Sequence, residues 1–285
     1  MAGMLGHVRM PVVAGMFYPG DPDVLRSTVR RLLGERPMVR SARESVGLVV
    51  PHAGYPYSGR VAGATFRRAL ECGRPDVVIL LGASHTGLGP TFSLSDTAAW
   101  RTPLGDVPLD RETIRTLVAA GMQIYEPAFH REHSVEVELP FLQDLWDDPV
   151  PIVPVCVQPG SLEELSAGAA ALLETTGGRV TWVVASSDFT HYEADSVARE
   201  RDRVALDPIL AVDPARFYRV CVEGRFSICG VGAIATLLAL ASRRGWRGSS
   251  LVAYETSGDS TGDRTAVVGY AGVTIAQGGL SQCEA

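Results

Sequence analysis

No lysine occurs in this 285-residue chain; all 26 of its basic residues are arginine. That absence excludes Schiff-base chemistry and a lysine nucleophile. It also excludes a phosphate-binding loop of the G-x-x-x-x-G-K-[ST] type, so the Gly-, Ser- and Thr-rich segment from Ser257 to Asp263 is read as a hairpin turn. No uncharged apolar run approaches the ~18 residues that a membrane-spanning helix needs. The N-terminal stretch MAGMLGHVRMPVVAGMF lacks the basic start, continuous apolar run and small-residue cleavage site of a secretory signal, so a cytoplasmic location is expected. The cysteines, Cys72, Cys156, Cys221, Cys229 and Cys283, are odd in number and form no CxxC pair, so neither a disulfide framework nor a structural zinc site is expected. Basic residues are scattered, with only short pairs such as Arg30-Arg31 and Arg243-Arg244, and the net charge is -6. Nucleic-acid binding therefore has no electrostatic footprint. Ser186 and Ser187 lie near His191, but no G-x-S-x-G elbow surrounds them, which argues against a serine hydrolase.

What is present is a 46% hydrophobic chain with its apolar residues spread along the whole length, enough for one large core and a single domain over residues 1–285. Short β-branched or Leu-rich runs at Val46 to Val50, Asp76 to Leu81, Ile152 to Val157, Val180 to Ala185, Ser250 to Tyr254 and Ala266 to Ile275 read as strands. Helical spacing appears at Asp21 to Leu33, Arg60 to Cys72, Arg111 to Ala120, Leu162 to Glu174 and Val231 to Ser242. This alternation predicts an α/β fold with a mostly parallel sheet and helices on both faces. The last two strands can pair as an antiparallel hairpin, so the sheet is expected to be mixed. Cys72 and Cys156 sit beside or within apolar segments and read as small buried hydrophobes.

Three apolar runs end in polar, His-bearing segments: VVPHAG through His52, LLGASH through His85, and VVASSDFTH through Asp188 and His191. Open α/β sheets bind ligands beyond the carboxyl ends of their strands, so these three ends should meet at one edge. His52, His85, His133 and His191 occupy such loop or helix-entry positions. His7 and His130 do not, and His130 reads as a solvated loop residue. Neutral imidazole is the commonest transition-metal ligand, and two of them with one anionic ligand leave open positions on an ion. Cys229, in FSICGVG, directly precedes a small, apolar helix. A helix start lowers a thiol's pKa and favours the thiolate that binds metal. A tightly packed helix start with an inert cysteine fits the same local sequence.

The segments AGMFYP (14–19), PHAGYPYSG (51–59), GASH (82–85), EHSVEVELPFL (132–142), SSDFTHY (186–192) and ICG (228–230), in this order, resemble the Memo family. The likeness runs from about residue 10 to residue 275. It implies a three-layer α/β/α sandwich related in fold to the class III extradiol dioxygenases, which use non-haem Fe(II). Carried over position by position, it makes His52, His85 and Cys229 the metal ligands, with Asp188, His191 and His133 beside them. The dioxygenases have a carboxylate where this chain has Cys229, which weakens a claim of aromatic ring cleavage and leaves Fe(II), copper and zinc as candidate ions.

The leading expectation is a redox enzyme using Fe(II) or copper, with O2 or a small organic substrate as partner, His191 as general acid/base, Asp188 orienting it, and His133 hydrogen-bonding the substrate. A metal-assisted hydrolase is the second reading. The third is a non-enzymatic adaptor, since the family's eukaryotic members resemble phosphotyrosine-peptide-binding signalling adaptors; here Arg60, Arg101 and Arg131 are the residues that could pair with an anionic ligand. Bacterial and archaeal relatives are often encoded beside Ammecr-type and radical-SAM proteins, so the resemblance also suggests these as partners.

Overall fold

The computed structural model describes residues 6–37 and 43–278; Cys283 lies outside them. In chain order the first elements are β1 (Val8–Arg9), α1 (Pro22–Leu33), β2 (Val46–Val50), α2 (Tyr55–Ala69), β3 (Val77–Ala83), β4 (Phe92–Leu94), β5 (Ala99–Thr102) and β6 (Gly105–Pro108). There follow α3 (Arg111–Ala119), β7 (Gln123–Ile124), α4 (Leu139–Leu145), β8 (Ile152–Val157), α5 (Leu162–Thr175), β9 (Thr181–Ser186) and β10 (His191–Glu193). The chain closes with α6 (Asp195–Leu210), α7 (Pro214–Glu223), α8 (Val231–Arg243), β11 (Gly248–Thr256), α9 (Ser257–Thr261) and β12 (Val267–Ala276).

The large sheet runs β10-β12-β2-β9-β3-β8-β4-β7, with β11 also paired to β12. Its centre, β2-β9-β3-β8, is parallel throughout, and antiparallel pairing begins at β12 on one side and β4 on the other. The four central strands are buried at every position, which is why they read as unbroken apolar runs and not as alternating ones. Gly47 and Gly272 show that both faces are covered. A Cβ at Gly47 would lie 2.7 Å from Leu237 of α8, and one at Gly272 would lie 1.9 Å from Thr65 of α2. Since Gly47 pairs with Ile275, Gly272 points to the opposite face, so α8 and α2 sandwich the sheet. The expected α/β sandwich is the fold observed.

The hairpin expected at the C-terminal end forms, with β11 antiparallel to β12 from Gly248↔Ala276 to Thr256↔Gly269. Its connection is a short helix and not a bare turn. Thr256 caps it and Asp259 returns a hydrogen bond to the Thr256 N–H, a capping box that satisfies the donors of the first turn.

A small sheet, β1-β5-β6, lies apart from the main one. The N-terminal segment is anchored further by Glu136, whose buried carboxylate accepts from Arg9 of β1 (2.8 Å), the backbone N–H groups of Val12 and Val13, and the Tyr18 hydroxyl (2.8 Å). Arg9 also stacks on Trp100, 4.0 Å from the ring centroid. This fastening fixes the loop that delivers Phe17 to the edge described next.

Candidate metal centre

His52, His85 and Asp188 each lie two residues past the end of β2, β3 and β9. Those strands are adjacent and in register, with Ser186 opposite both Val50 and Gly82. Counted from those aligned residues, His52 and Asp188 lie two positions on and His85 three, which brings all three to the carboxyl edge of the sheet. Cys229 joins them from the loop before α8. The ligand-capable atoms of His52, His85 and Cys229 all lie within 4.8 Å of one another, and His52 Nε2 is 3.4 Å from Cys229 Sγ. Donors about 2.0 to 2.3 Å from a common ion stand at such separations.

Each imidazole is held from behind. His52 Nδ1 is 2.8 Å from Ser186 Oγ, and His85 Nδ1 is 2.9 Å from Glu132 Oε1. With Nδ1 committed, Nε2 is the nitrogen left to bind, the arrangement that metal-binding histidines require. The donor set therefore fits a transition ion.

Glu132 is buried and saturated: it also accepts from the N–H groups of His85, His133 and Ser134 at 2.7 to 2.9 Å. Burial alone would raise its pKa, but the His85 ring and these backbone donors hold it at about 2. For His85, burial pulls the other way and is outweighed by Glu132, so its pKa is raised. Glu132 also groups geometrically with His85 and His133, but its oxygens are spent on these donors and it serves as a support. Ser134 and Val135 pack against Gly82, where a Cβ would lie 2.5 Å from Ser134 Oγ; only glycine lets this segment close over β3.

His133 stacks on His85 at 4.6 Å between centroids and meets His52 edge-on at 5.4 Å. Its other neighbour is Phe17, at 4.6 Å. Burial, reinforced by His85, lowers its pKa to about 4, so it faces the site as a neutral ring. His52 is lowered as well, first by burial and then by His133 and His85.

Asp188 is buried, and its Oδ1 accepts from the backbone N–H groups of His52 (2.9 Å) and Ala53 (3.2 Å). Burial nevertheless raises its pKa. His191 is half-buried and lies close enough to influence both Asp188 and His52. Its Nδ1 sits 2.7 Å from the Ser227 carbonyl, which can only accept, so Nδ1 carries a proton and donates to it.

Cys229 departs from expectation in one respect. Its sulfur accepts from the Asp188 N–H at 3.2 Å and not from the amides that start α8. The helix terminus thus gives it little help; burial, followed by the Asp188 carboxylate, pushes the thiol pKa up. Without an ion the group is a thiol, and coordination would release its proton.

The structure brings together all six residues singled out in the sequence. His7 and His130 are exposed, the latter as read, and Cys72 and Cys156 are buried, also as read. Arg60 and Arg101 already hold carboxylate partners, Glu255 at 3.0 Å and Asp106 at 2.6 Å. Sequence reasoning missed Glu132, Ser186 and Phe17 as parts of the site. The signal for Glu132 was its place directly before His133, in a segment whose three glutamates are all buried.

Fold and site together define an α/β sandwich with a His/His/Cys cluster at the carboxyl edge of its parallel strands. The family model "Memo-like protein" matches residues 9–274. The chain is 36% identical over 272 residues to a "MEMO1 family protein" of Nitrosopumilus maritimus, covering 93% of this chain and 98% of that one. It is 38% identical to one from Methanopyrus kandleri (95% and 99% covered) and 40% identical to one from Ignicoccus hospitalis (93% and 98% covered). This chain belongs to the Memo family. No helix among the described residues is long and apolar enough to cross a membrane.

Proposed function

We propose that the chain is a cytoplasmic metal-dependent redox enzyme, with His52, His85 and Cys229 as ligands and O2 or a small organic molecule as substrate. The observation that carries this reading is the 3.4 Å approach of His52 Nε2 to Cys229 Sγ with both histidine Nδ1 atoms already engaged. Iron or copper bound there would supply a redox couple with open coordination positions. His191, partly accessible and with a free Nε2, moves protons between substrate and solvent. Asp188 holds the His52 backbone. His133 presents a neutral ring, and Phe17 packed on it keeps water from that side. The adaptor reading has less support, because Arg60 and Arg101 are occupied by carboxylates of their own.

The test is O2 consumption with a reductant by protein loaded separately with iron, copper or zinc. The proposal expects uptake with iron or copper and none with zinc. Binding of zinc alone, with no redox turnover in any form, contradicts it, and turnover of esters or amides without O2 or reductant would establish the hydrolytic alternative.

A further inference from the structure

Arg26 and Arg30 lie about one turn apart on α1, so they share the face of that helix that packs on α4. There they meet Asp144, whose side chain is only 1% exposed. Arg30 Nε donates to Asp144 Oδ1 at 3.0 Å, Arg26 Nη1 stands 3.8 Å from the same oxygen, and Arg36 reaches Oδ2 at 3.2 Å. One carboxylate can neutralise only one of these guanidiniums. Arg36 also donates to the backbone carbonyls of Asp144 and Leu145, which commits it to the fold. Arg26 makes no hydrogen bond among the described residues, and Arg30 spends Nε alone, so the terminal nitrogens of both remain open. Their side chains are 43% and 62% exposed. Like charges at this spacing destabilise a helix. The helix dipole favours a cation in the last turn, which accounts for Arg30, but Arg26 sits in the second turn and gains nothing from it.

These arginines border a cleft of about 560 Å³, together with Asp144, Trp146 and Asp147. Arg67 stands behind Gly34 on the same wall, since a Cβ at Gly34 would lie 2.9 Å from Arg67 Nη1. Four arginines against two aspartates leave the cleft positive in a chain whose net charge is -6. The cleft is also remote from the candidate metal centre. Trp146 packs edge-on against Trp182 near the start of β9, at 5.0 Å between centroids, whereas the metal centre lies past the carboxyl end of that strand.

We propose that the cleft between α1 and α4 binds a phosphate dianion, free or as the monoester of a small molecule, through the open guanidiniums of Arg26 and Arg30. A guanidinium presents its N–H groups as a planar fork that matches two oxygens of a phosphate, and two such forks match its two charges. Trp146 is the apolar surface that an ester's organic group would meet. Asp147, exposed and without an ion pair among the described residues, opposes the ligand and keeps its affinity moderate. None of this depends on the function proposed above.

Isothermal titration of the metal-free protein at low ionic strength and about pH 8, where phosphate is largely dianionic, tests this with inorganic phosphate and with phenyl phosphate as probes. Wild type should bind at least one of them; tighter binding of phenyl phosphate identifies an ester, and equal or weaker binding identifies free phosphate. Affinity should fall about 10-fold in Arg26→Gln and in Arg30→Gln, each of which removes charge-assisted hydrogen bonds. It should rise in Asp147→Asn and stay unchanged in His85→Ala, which alters the metal centre alone. All three cleft positions carry exposed side chains, and should one variant fail to fold, the other two decide. Binding of neither probe overturns the proposal. So does binding that persists in both arginine variants, weakens in Asp147→Asn, or disappears in His85→Ala, the last of which would place the phosphate at the metal centre.

Discussion

The backbone N–H of Asp188 points at the sulfur of Cys229, 3.2 Å away, while Oδ1 of the same residue accepts from the backbone N–H of His52 at 2.9 Å. One residue thus braces two of the three candidate ligands, from the loop after β9 to the loops after β2 and before α8. The Ser187 hydroxyl accepts from the Gly230 N–H at 3.0 Å and extends the same brace. A Cβ at Gly230 would lie 2.4 Å from Ser187, so the close approach of these loops requires glycine there.

Glu132 should set the strength of the His85 ligand. Glu132→Gln keeps the shape but removes the charge that orients the ring and raises its basicity, so metal affinity should fall about 10- to 100-fold with the fold intact. Competition titration against a chelator measures this. Unchanged affinity would mean that His85 is held by packing alone.

His191 should matter to turnover and not to metal retention. His191→Ala removes a proton-transfer group, which is worth roughly 10²- to 10⁴-fold in rate. Metal content by elemental analysis should match wild type while O2 consumption drops. Loss of the metal would make His191 a ligand.

How far the sequence disclosed this arrangement depended on what each segment buries. The four central strands and the helices α1, α3, α5 and α8 were legible because they carry apolar residues at the period of their element. α6 was not: its buried positions include Ala198, Asp202 and Ala205, and Pro208 interrupts it, so no apolar stripe stands out. The strands β1, β5 and β6 are two to four residues long, too short for any periodicity. In the site, His52, His85, Asp188 and His191 were visible because strand ends announce them. Ser186 stands out only as a neighbour of His191, and nothing in the sequence marks Glu132, Glu136 and Glu138 as buried. Only the tertiary contacts reveal that Glu132 and Glu136 are each buried against a specific set of donors.

Asp195 offers a pH test away from the site. It accepts from Arg199 (2.9 Å) and Arg264 (2.7 Å) and ties the start of α6 to the loop before β12. The Arg199 hydrogen bond, opposed by slight burial and helped by Thr256 and Arg264, holds its carboxyl at about 2 against an ordinary 3.8. A folded pKa below the unfolded one gives stability that is complete above pH 3.8 and lost as pH falls toward about 2. Asp195→Asn should therefore melt below wild type at pH 7, with the gap closing across that window. A gap that persists at pH 2 would trace the loss to packing and not to charge.

The central claim is that Cys229 and the two histidines form one metal site, and that the thiol decides which ion it holds. A thiolate favours soft or borderline ions, whereas a carboxylate favours harder ones. The most direct measurement is metal content by elemental analysis after equal exposure to iron, copper and zinc, for wild type, Cys229→Ser and Cys229→Asp. We expect the Ser variant to lose most of its metal and the Asp variant to shift from copper toward Fe(II). A Ser variant that binds all three ions as wild type does would contradict the account.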